Sequence, residues 1–498
     1  MTGRDWWTRG AALGALFLVA GCDLAPRFKV PTTEVPVSYT EASHWVRSTP
    51  EDAAPRGAWW TAFGDPELNR LESAQDATSP TLAAAIASYD QARAFAAEAE
   101  SGLFPTIGLG AQINTDRQSA RRPRRRPGEP NQYLNNAIDT QTQYEIDFWG
   151  RIANTIRAGK AVAEESQADL ETTRLSLHAE LATDYVTLAG LDAELRLLGR
   201  TVDTYSQALQ LTRNRFLGKI ASETDVSRAA TQLDTARAAL ADTLSRRALM
   251  EHAIALLMGQ PPELFHIAEI PRLPEIPTID EGLPTALLQR RPDISAAERQ
   301  MAAANYQIGV TRAAFYPNIS LNAILGLNDT GFDMFMLRDS FWALGPGLAL
   351  PLFEGGLRHA ELRAAIAAWR ITAANYRETV LNAFTDVEDQ AALLHYLGAE
   401  QTDELQAVHD AGMTLNSAMA LYKDGANSYL EVVTAQVDQL NAQRASLDLD
   451  VRRLDATVGL IRALGGGWSA TRLAPLRVHS ESDQQRPSLR SRSMAEAA

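Results

Sequence analysis

The stretch TRAAFYPNISLNAILGL, residues 311–327, changes its period at Pro317. Before it, the run from Pro292 is rich in Ala and other helix formers, with proline at a helix start, where a missing N–H costs little. After it, Ile319, Leu321, Ala323, Leu325 and Leu327 alternate with Asn318, Ser320, Asn322, Gly326 and Asn328, and only Ile324 breaks the polar face. A helix turns into a strand with one apolar and one polar side.

The same switch stands 212 residues earlier, in AESGLFPTIGLGAQINT, where Phe104-Pro105 precedes Ile107, Leu109, Ala111 and Ile113 alternating with Gly108, Gly110, Gln112 and Asn114. The 498 residues therefore read as a duplicated unit of about 200 residues rather than as two or three unrelated globular domains.

No proline occurs between Pro130 and Pro261 or between Pro351 and Pro475, so these two gaps hold long helices. In the first, Leu177, Leu181, Tyr185, Leu188, Leu191, Leu195, Leu198, Val202, Tyr205 and Leu209 recur at steps of three or four, a coiled-coil seam. Val380, Phe384, Val387, Ala391 and Leu394 repeat it in the second, followed by Leu405, Val408, Gly412, Leu415, Met419 and Tyr422. A helix from Ile152 to Arg215 would be about 95 Å long, so it must project from something. Each long helix ends in a turn, RFLGKIASETDV at 215–226 and LYKDGANSYLEV at 421–432, and returns as a helix of about 35 residues. The turns repeat at an offset of 206, which places six extra residues between Asp116 and Asn136, around RRPRRRPGEP.

The beginning of the chain has Arg4 and Arg9, then an apolar run from Ala11 to Ala20 that is too short to span a bilayer. Leu18-Val19-Ala20-Gly21-Cys22 resembles the lipobox of bacterial lipoproteins, so residues 1–21 read as a signal peptide and Cys22 as the lipidated N-terminus. The alternative is a plain signal peptide with an incidental cysteine. Cys22 is the only cysteine, which excludes an intramolecular disulfide and leaves stability to packing. Asp23 follows it, and in enteric bacteria an acidic residue there is associated with retention in the inner membrane, in conflict with the strand pattern.

Residues 22–60, punctuated by prolines at 26, 31, 36, 50 and 55, read as an extended segment lying along other surfaces. Repeat one then spans 61–262 with strands at about 106–115 and 137–148, a linker spans 263–283, and repeat two spans 284–468 with strands at about 318–328 and 340–352. Asp65 and Ser79, each followed by proline, are helix caps. Residues 469–498 read as a disordered tail.

In AIDTQTQYEIDF, residues 137–148, Ile138, Thr140, Thr142, Tyr144, Ile146 and Phe148 share one face and Asp139, Gln141, Gln143, Glu145 and Asp147 the other. Such strands match the lipid and lumen faces of a transmembrane β-barrel. The alternative is a periplasmic sheet packed on helices. Four strands cannot close a barrel, and a lipid-exposed edge would leave backbone groups unpaired, so copies of the chain must share one.

FGDPELNRL (63–71), LLQRRPDISAAERQMAAANYQIGVTRAAFYPNISL (287–321), GPGLALPLFEGG (345–356) and ALGGGW (463–468) resemble the outer-membrane factor family, the TolC-like efflux channels, in its NodT-like lipoprotein branch. The resemblance covers about Trp59 to Trp468. It implies a mixed, mainly α fold: a homotrimer with a shared twelve-stranded transmembrane β-barrel, continued by an α-barrel of twelve coiled-coil helices in the periplasm. The chain would be the passive exit duct of a tripartite, RND-type efflux system for drugs or other toxic small molecules, lipid-anchored in the outer membrane. Its partners would be a periplasmic adaptor and an inner-membrane transporter. The rival reading is a periplasmic coiled-coil lipoprotein scaffold without a pore.

By the same resemblance Glu431 lines the periplasmic aperture, where converging carboxylates focus negative potential and favour cations. The family's second acidic position is Thr434 here, and Asp424 is placed to compensate. Gly218, Ser222, Gly425 and Ser428 resemble adaptor-docking turns, with Lys219 where glycine is usual. The plain alternatives are solvated helix surface for the carboxylates and ordinary tight turns for the rest. Asp225, the repeat counterpart of Glu431, reads as structural.

Arg121, Arg122, Arg124, Arg125 and Arg126 sit between two barrel strands, where they would meet lipopolysaccharide phosphates or form a solvated loop. A net charge of −14 argues against nucleic acid. The eight His show no metal-ligand spacing, and no nucleophile or phosphate-loop motif appears, so no enzyme and no cofactor are expected beyond the lipid on Cys22.

Overall fold

Asp65 caps the first helix, α1 (Pro66–Thr78), its carboxylate accepting from the N–H groups of Glu67 at 2.8 Å and Leu68 at 3.1 Å. Ser79 caps α2 (Pro80–Ser101). The computed structural model describes residues 23–31, 57–119, 121, 128, 130–277, 290–331 and 336–466. Strands β1 (Thr106–Arg117) and β2 (Gln132–Glu145) follow α2, and then α3 (Arg151–Leu217) and α4 (Glu223–Leu257). The second repeat is α5 (Pro292–Ala313), β3 (Asn318–Asp329), β4 (Ser340–Ala349), α6 (Leu357–Lys423) and α7 (Tyr429–Ala463).

Helices α3 and α6 have 67 residues each and α4 and α7 have 35 each. At 1.5 Å per residue the long pair measure about 100 Å. The starts of α2 and α5, and of β1 and β3, are 212 residues apart, whereas those of α3 and α6, and of α4 and α7, are 206 apart. The duplication is thus visible element by element.

The four strands form one antiparallel sheet in chain order, β1-β2-β3-β4, so that β2 of one repeat pairs with β3 of the other. The register sets Leu109 opposite Thr140, Thr140 opposite Leu325 and Leu325 opposite Trp342. Residues directly opposite share a face, so both apolar faces fall on the same side.

The strand bounds differ from the pattern at both ends of β2 and at the end of β4. β2 starts at Gln132 rather than near 137, because Gln132 to Asn136 pair with Arg117 back to Ile113 of β1 although their sequence does not alternate. It ends at Glu145 rather than near 148, where Arg151 grips the carboxylate with two bonds of 2.7 Å and the chain turns into α3. β4 stops at Ala349 rather than near 352, since Pro351 has no N–H for the ladder. Pro346 is tolerated within β4 because that strand is at the edge of the sheet.

Asp23–Pro31 is without regular structure and lies on α3 and α5. The last part of the segment expected to be extended is different: Trp59–Phe63 forms a 3-10 turn with Trp59, Trp60 and Phe63 buried. They join the largest core cluster, with Leu68 and Leu71 of α1, Leu181, Tyr185 and Leu188 of α3, Ile254 of α4 and Leu454 and Val458 of α7. Ile267 and Ile270 of the connector close it. Asp192 of α3, fully buried, holds that connector by accepting from Arg247 Nε at 2.6 Å and from the Ile270 N–H at 2.9 Å.

The long helices form a layer. α3 packs on α2, α4, α5 and α7, and α6 on α5 and α7, which leaves α2 and α4 at one edge and α6 at the other. Those edges carry exposed apolar side chains: Phe95 on α2, Leu249 and Leu256 on α4, and Ile371, Tyr396, Leu405 and Met413 on α6. Most of the expected seam on α3 is buried within the chain, while Leu405, in the α6 seam, is not. Among the described residues no helix is long and apolar enough to cross a membrane.

Candidate functional site

Two regions concentrate features that packing within one chain does not explain: the two helical turns at one end and the sheet at the other.

Both turns close by the same backbone device. In repeat two the Gly425 N–H donates to Tyr422 O at 3.1 Å and the Ala426 N–H to Leu421 O at 2.9 Å, with Gly425 at φ 79°. In repeat one the Lys219 N–H donates to Phe216 O and the Ile220 N–H to Arg215 O, both at 2.8 Å, with Lys219 at φ 58°. Lys219 stands where Gly425 stands, and among the described residues it is the one non-glycine with positive φ. A side chain in that region is strained.

The turns differ in chemistry. Around the first, Leu217 and Ile220 are exposed beside Lys219. The second is polar, with Asp424, Asn427 and Ser428. Ser222 and Asp225 form a reciprocal capping box at the start of α4: the Ser222 Oγ accepts from the Asp225 N–H at 3.2 Å and Asp225 Oδ2 accepts from the Ser222 N–H at 3.1 Å. Ser428 begins α7 without a side-chain cap, and Gly218 has an ordinary φ of −74° at the end of α3.

Asp424 caps the C-terminal end of α6, where the helix dipole disfavours an anion, and Glu431 lies in the first turn of α7, where it is favoured. Both are exposed, as is Thr434. Glu431, Thr434 and Asp438 run along one side of α7, while Tyr429, Val432, Ala435 and Gln436 are buried on the other.

Arg215 binds the two turns together. Its guanidinium donates to Lys423 O at 2.9 Å and lies 4.7 Å from the centre of the Tyr422 ring. Beneath it Tyr422 and Tyr429 have ring centroids 5.1 Å apart, and Tyr205 Oη donates to Gln436 O at 3.1 Å. Gln436, 1% exposed, has neither amide atom of its side chain bonded, an unusual arrangement for a settled core. Sequence reasoning missed Arg215, whose acceptor is a backbone carbonyl that no side-chain pattern marks.

At the other end, Leu109 is 75% exposed, Trp342 74% and Leu325 62%, on one face with Ile107, Ile113, Leu344 and Leu348. The opposite face carries Gln112, Asn114, Gln141, Gln143, Ser320 and Asn322. Among the described residues no helix covers the apolar face, and no strand pairs with the outer edges of β1 and β4. Trp149 secures the boundary between sheet and helices by donating to Pro317 O at 2.8 Å and stacking on Tyr316.

Cys22, Arg122, Arg124, Arg125, Arg126 and the 469–498 tail lie outside the described residues. Arg121 is exposed in the β1-β2 connection. Among the described residues no group of three or more His, Cys, Asp or Glu is placed to hold a metal.

A pyoverdine export outer membrane protein, OpmQ, of Pseudomonas aeruginosa is 32% identical over 434 residues, covering 84% of this chain and 90% of the relative. A probable efflux pump outer membrane protein, TtgC, of Pseudomonas putida is 30% identical over 465 residues, covering 91% of this chain and 94% of its own. The solved outer-membrane channel OprN superposes with a TM-score of 0.81 at 27% identity, over 90% of this chain and all of that one. The profile of the family described as outer membrane efflux protein matches residues 73–260 and 283–466, one match to each repeat. The chain belongs to the outer membrane efflux protein family.

Proposed function

We propose that three copies of this chain close a twelve-stranded barrel and a helical tunnel, forming the lipid-anchored exit duct of a tripartite efflux system. Family membership makes the chain an outer-membrane efflux channel, whose role is conduction and not catalysis. The observation that carries the trimer is the sheet: one exposed apolar face across four strands, a polar face behind it, and two unpaired edges. Pairing β4 of one copy with β1 of the next removes both edges. The exposed apolar residues of α2 and α4 then face those of α6 on the neighbour.

The turns 218–222 and 424–428 are the proposed contact for a periplasmic adaptor that connects to an inner-membrane transporter, and Glu431 with Asp424 are the proposed gate carboxylates. Arg215 is the latch that holds this end closed until adaptor and pump engage it. Cys22 carries the lipid, in line with the lipoprotein branch, and Arg121, Arg122, Arg124, Arg125 and Arg126 meet lipopolysaccharide phosphates outside. The relatives' names, pyoverdine export and efflux pump, favour organic small molecules as cargo.

The decisive experiment is the oligomeric mass of the protein extracted in detergent from isolated outer membranes. A trimer is the expected result. A monomer, or absence from that membrane, would favour the pore-less scaffold.

A further inference from the structure

The segment Asp23–Pro31 has a built receptor. Asp23 Oδ1 accepts from Asn154 Nδ2 at 3.1 Å and from the Ala25 N–H at 3.0 Å, and its Oδ2 accepts from Arg157 Nη1 at 2.5 Å. Asn154, fully buried in α3, is held in turn by donating to Gly150 O at 2.8 Å. From α5, Arg312 donates to Leu24 O at 3.1 Å and Asn305 to Pro26 O at 2.8 Å. Gly309 makes the room: a Cβ there would stand 2.9 Å from Cβ of Ala25 and 2.8 Å from Asn154 Nδ2. Side chains from both repeats thus converge on a short stretch that has no secondary structure of its own.

The receptor lies where helices give way to sheet. Arg157 is within about 9 Å of the start of α3 at the helical rise, and Arg312 is in the last turn of α5. Asp23 is held at that level. Burial raises the Asp23 pKa, but the Ala25 N–H, Asn154 and Arg157 outweigh it and hold the carboxyl below its usual range. A charge beside an acylated cysteine is something a sorting apparatus can read, and here three donors occupy it.

We propose that this crease between α3 and α5 is the docking site of the chain's own lipid-bearing N-terminus, with Asp23 as its latch. Folding masks the carboxylate, so the protein leaves the inner membrane in spite of it. The inference rests on acylation of Cys22.

The test uses Arg157→Ala, Asn154→Ala, Asp23→Ser and the double variant Asp23→Ser/Arg157→Ala, in the full chain and in its own membranes. Trypsin cleavage after Arg27 and Lys29 reports docking, membrane fractionation reports sorting, and the mass of the N-terminal peptide reports acylation. Arg157→Ala is expected to be cut at least ten times faster and to shift toward the inner membrane. The double variant should stay equally sensitive to trypsin yet return to the outer membrane. Should Arg157→Ala fail to assemble, Asn154→Ala, which leaves the ion pair in place, is read in its stead. An assembled, acylated Arg157→Ala protein that remains wholly in the outer membrane overturns the proposal, as does one cut at the wild-type rate. A wild-type chain without acyl groups would instead refute the anchor, leaving the trypsin rates to decide the docking.

Discussion

Arg215 of repeat one and Lys423 of repeat two are joined at 2.9 Å, guanidinium to backbone carbonyl, across the two turns that end α3 and α6. The bond satisfies an orphan carbonyl at a helix C-terminus with a cation, a pairing that the helix dipole favours. Nothing else described at the turns couples one repeat to the other by a charged group. Arg215→Ala is therefore expected to raise single-channel conductance in planar bilayers and to cost only about 1–2 kcal/mol of stability, from one charged hydrogen bond and a ring contact. Conductance equal to wild type would show that the turns are not held shut here.

Replacing Glu431 and Asp424 together by Ala should raise conductance and weaken cation preference, since both carboxylates are exposed at the same end of the chain. Asp424→Ala alone should also stabilise the end of α6 by about 0.3–1 kcal/mol, by relieving an anion at the negative pole of the helix. Reversal potentials in asymmetric salt measure the first effect. Unchanged selectivity would remove both residues from the gate.

Lys219→Gly should stabilise the first turn by about 1 kcal/mol, because glycine adopts φ 58° without the Cβ clash that lysine carries. Gly425→Ala should cost about as much in the other repeat. Thermal melting of both variants checks the pair, and a destabilised Lys219→Gly protein would mean that the lysine side chain makes up for its own strain.

On the sheet, Leu109→Arg should abolish assembly, at a cost of about 2–4 kcal/mol per copy if its face meets lipid near the midplane. Gln141→Arg, on the opposite face, should assemble and alter ion selectivity. The yield of detergent-stable trimer distinguishes the two. Equal tolerance at both positions would contradict the assignment of faces.

Acid should strengthen the helical region before it weakens it. Burial lifts Glu72 to about 7 against the opposing hydrogen bond from His178. Burial also lifts Asp184 to about 6, with Glu180 adding to it, and Asp455 to about 6, with Asp184 and Asp448 adding to it. A carboxyl with a folded pKa above its unfolded value binds more protons when folded, so its contribution is present below the unfolded pKa and is lost as pH rises through the folded one. Melting temperature should thus be a few degrees higher near pH 5.5 than near pH 7.5, and Glu72→Gln should flatten the difference. A melting temperature that rises steadily with pH would refute it.

Much of the architecture was legible because its causes are periodic. Proline-free gaps bounded α3 and α6, and the apolar alternation of Ile107 to Ile113 and of Ile319 to Leu327 marked β1 and β3. The start of β2 was not, because Gln132–Asn136 are held by backbone pairing and by the bond of 2.6 Å from Asn136 to Gly331 O, and not by an apolar face. Nor was the buried Trp59–Phe63 turn, whose partners on α3 and α7 are distant in the chain. At the candidate site the repeat offset located the two turns, whereas the gate carboxylates and docking residues were expectations from the family resemblance. Arg215 and the Asp23 receptor were hidden because their contacts cross between repeats and end largely on backbone atoms.

The substitution of Lys219 for the glycine of its sister turn has a consequence for arithmetic. Three copies of a perfectly repeated chain would present six identical tips, and a partner could settle in any of six rotations. With lysine and apolar side chains on one tip and Asp424 on the next, the ring of the proposed trimer would instead have a two-tip period. A partner that tells them apart finds three settings rather than six, and one that binds every tip must come in two conformations or as two alternating copies.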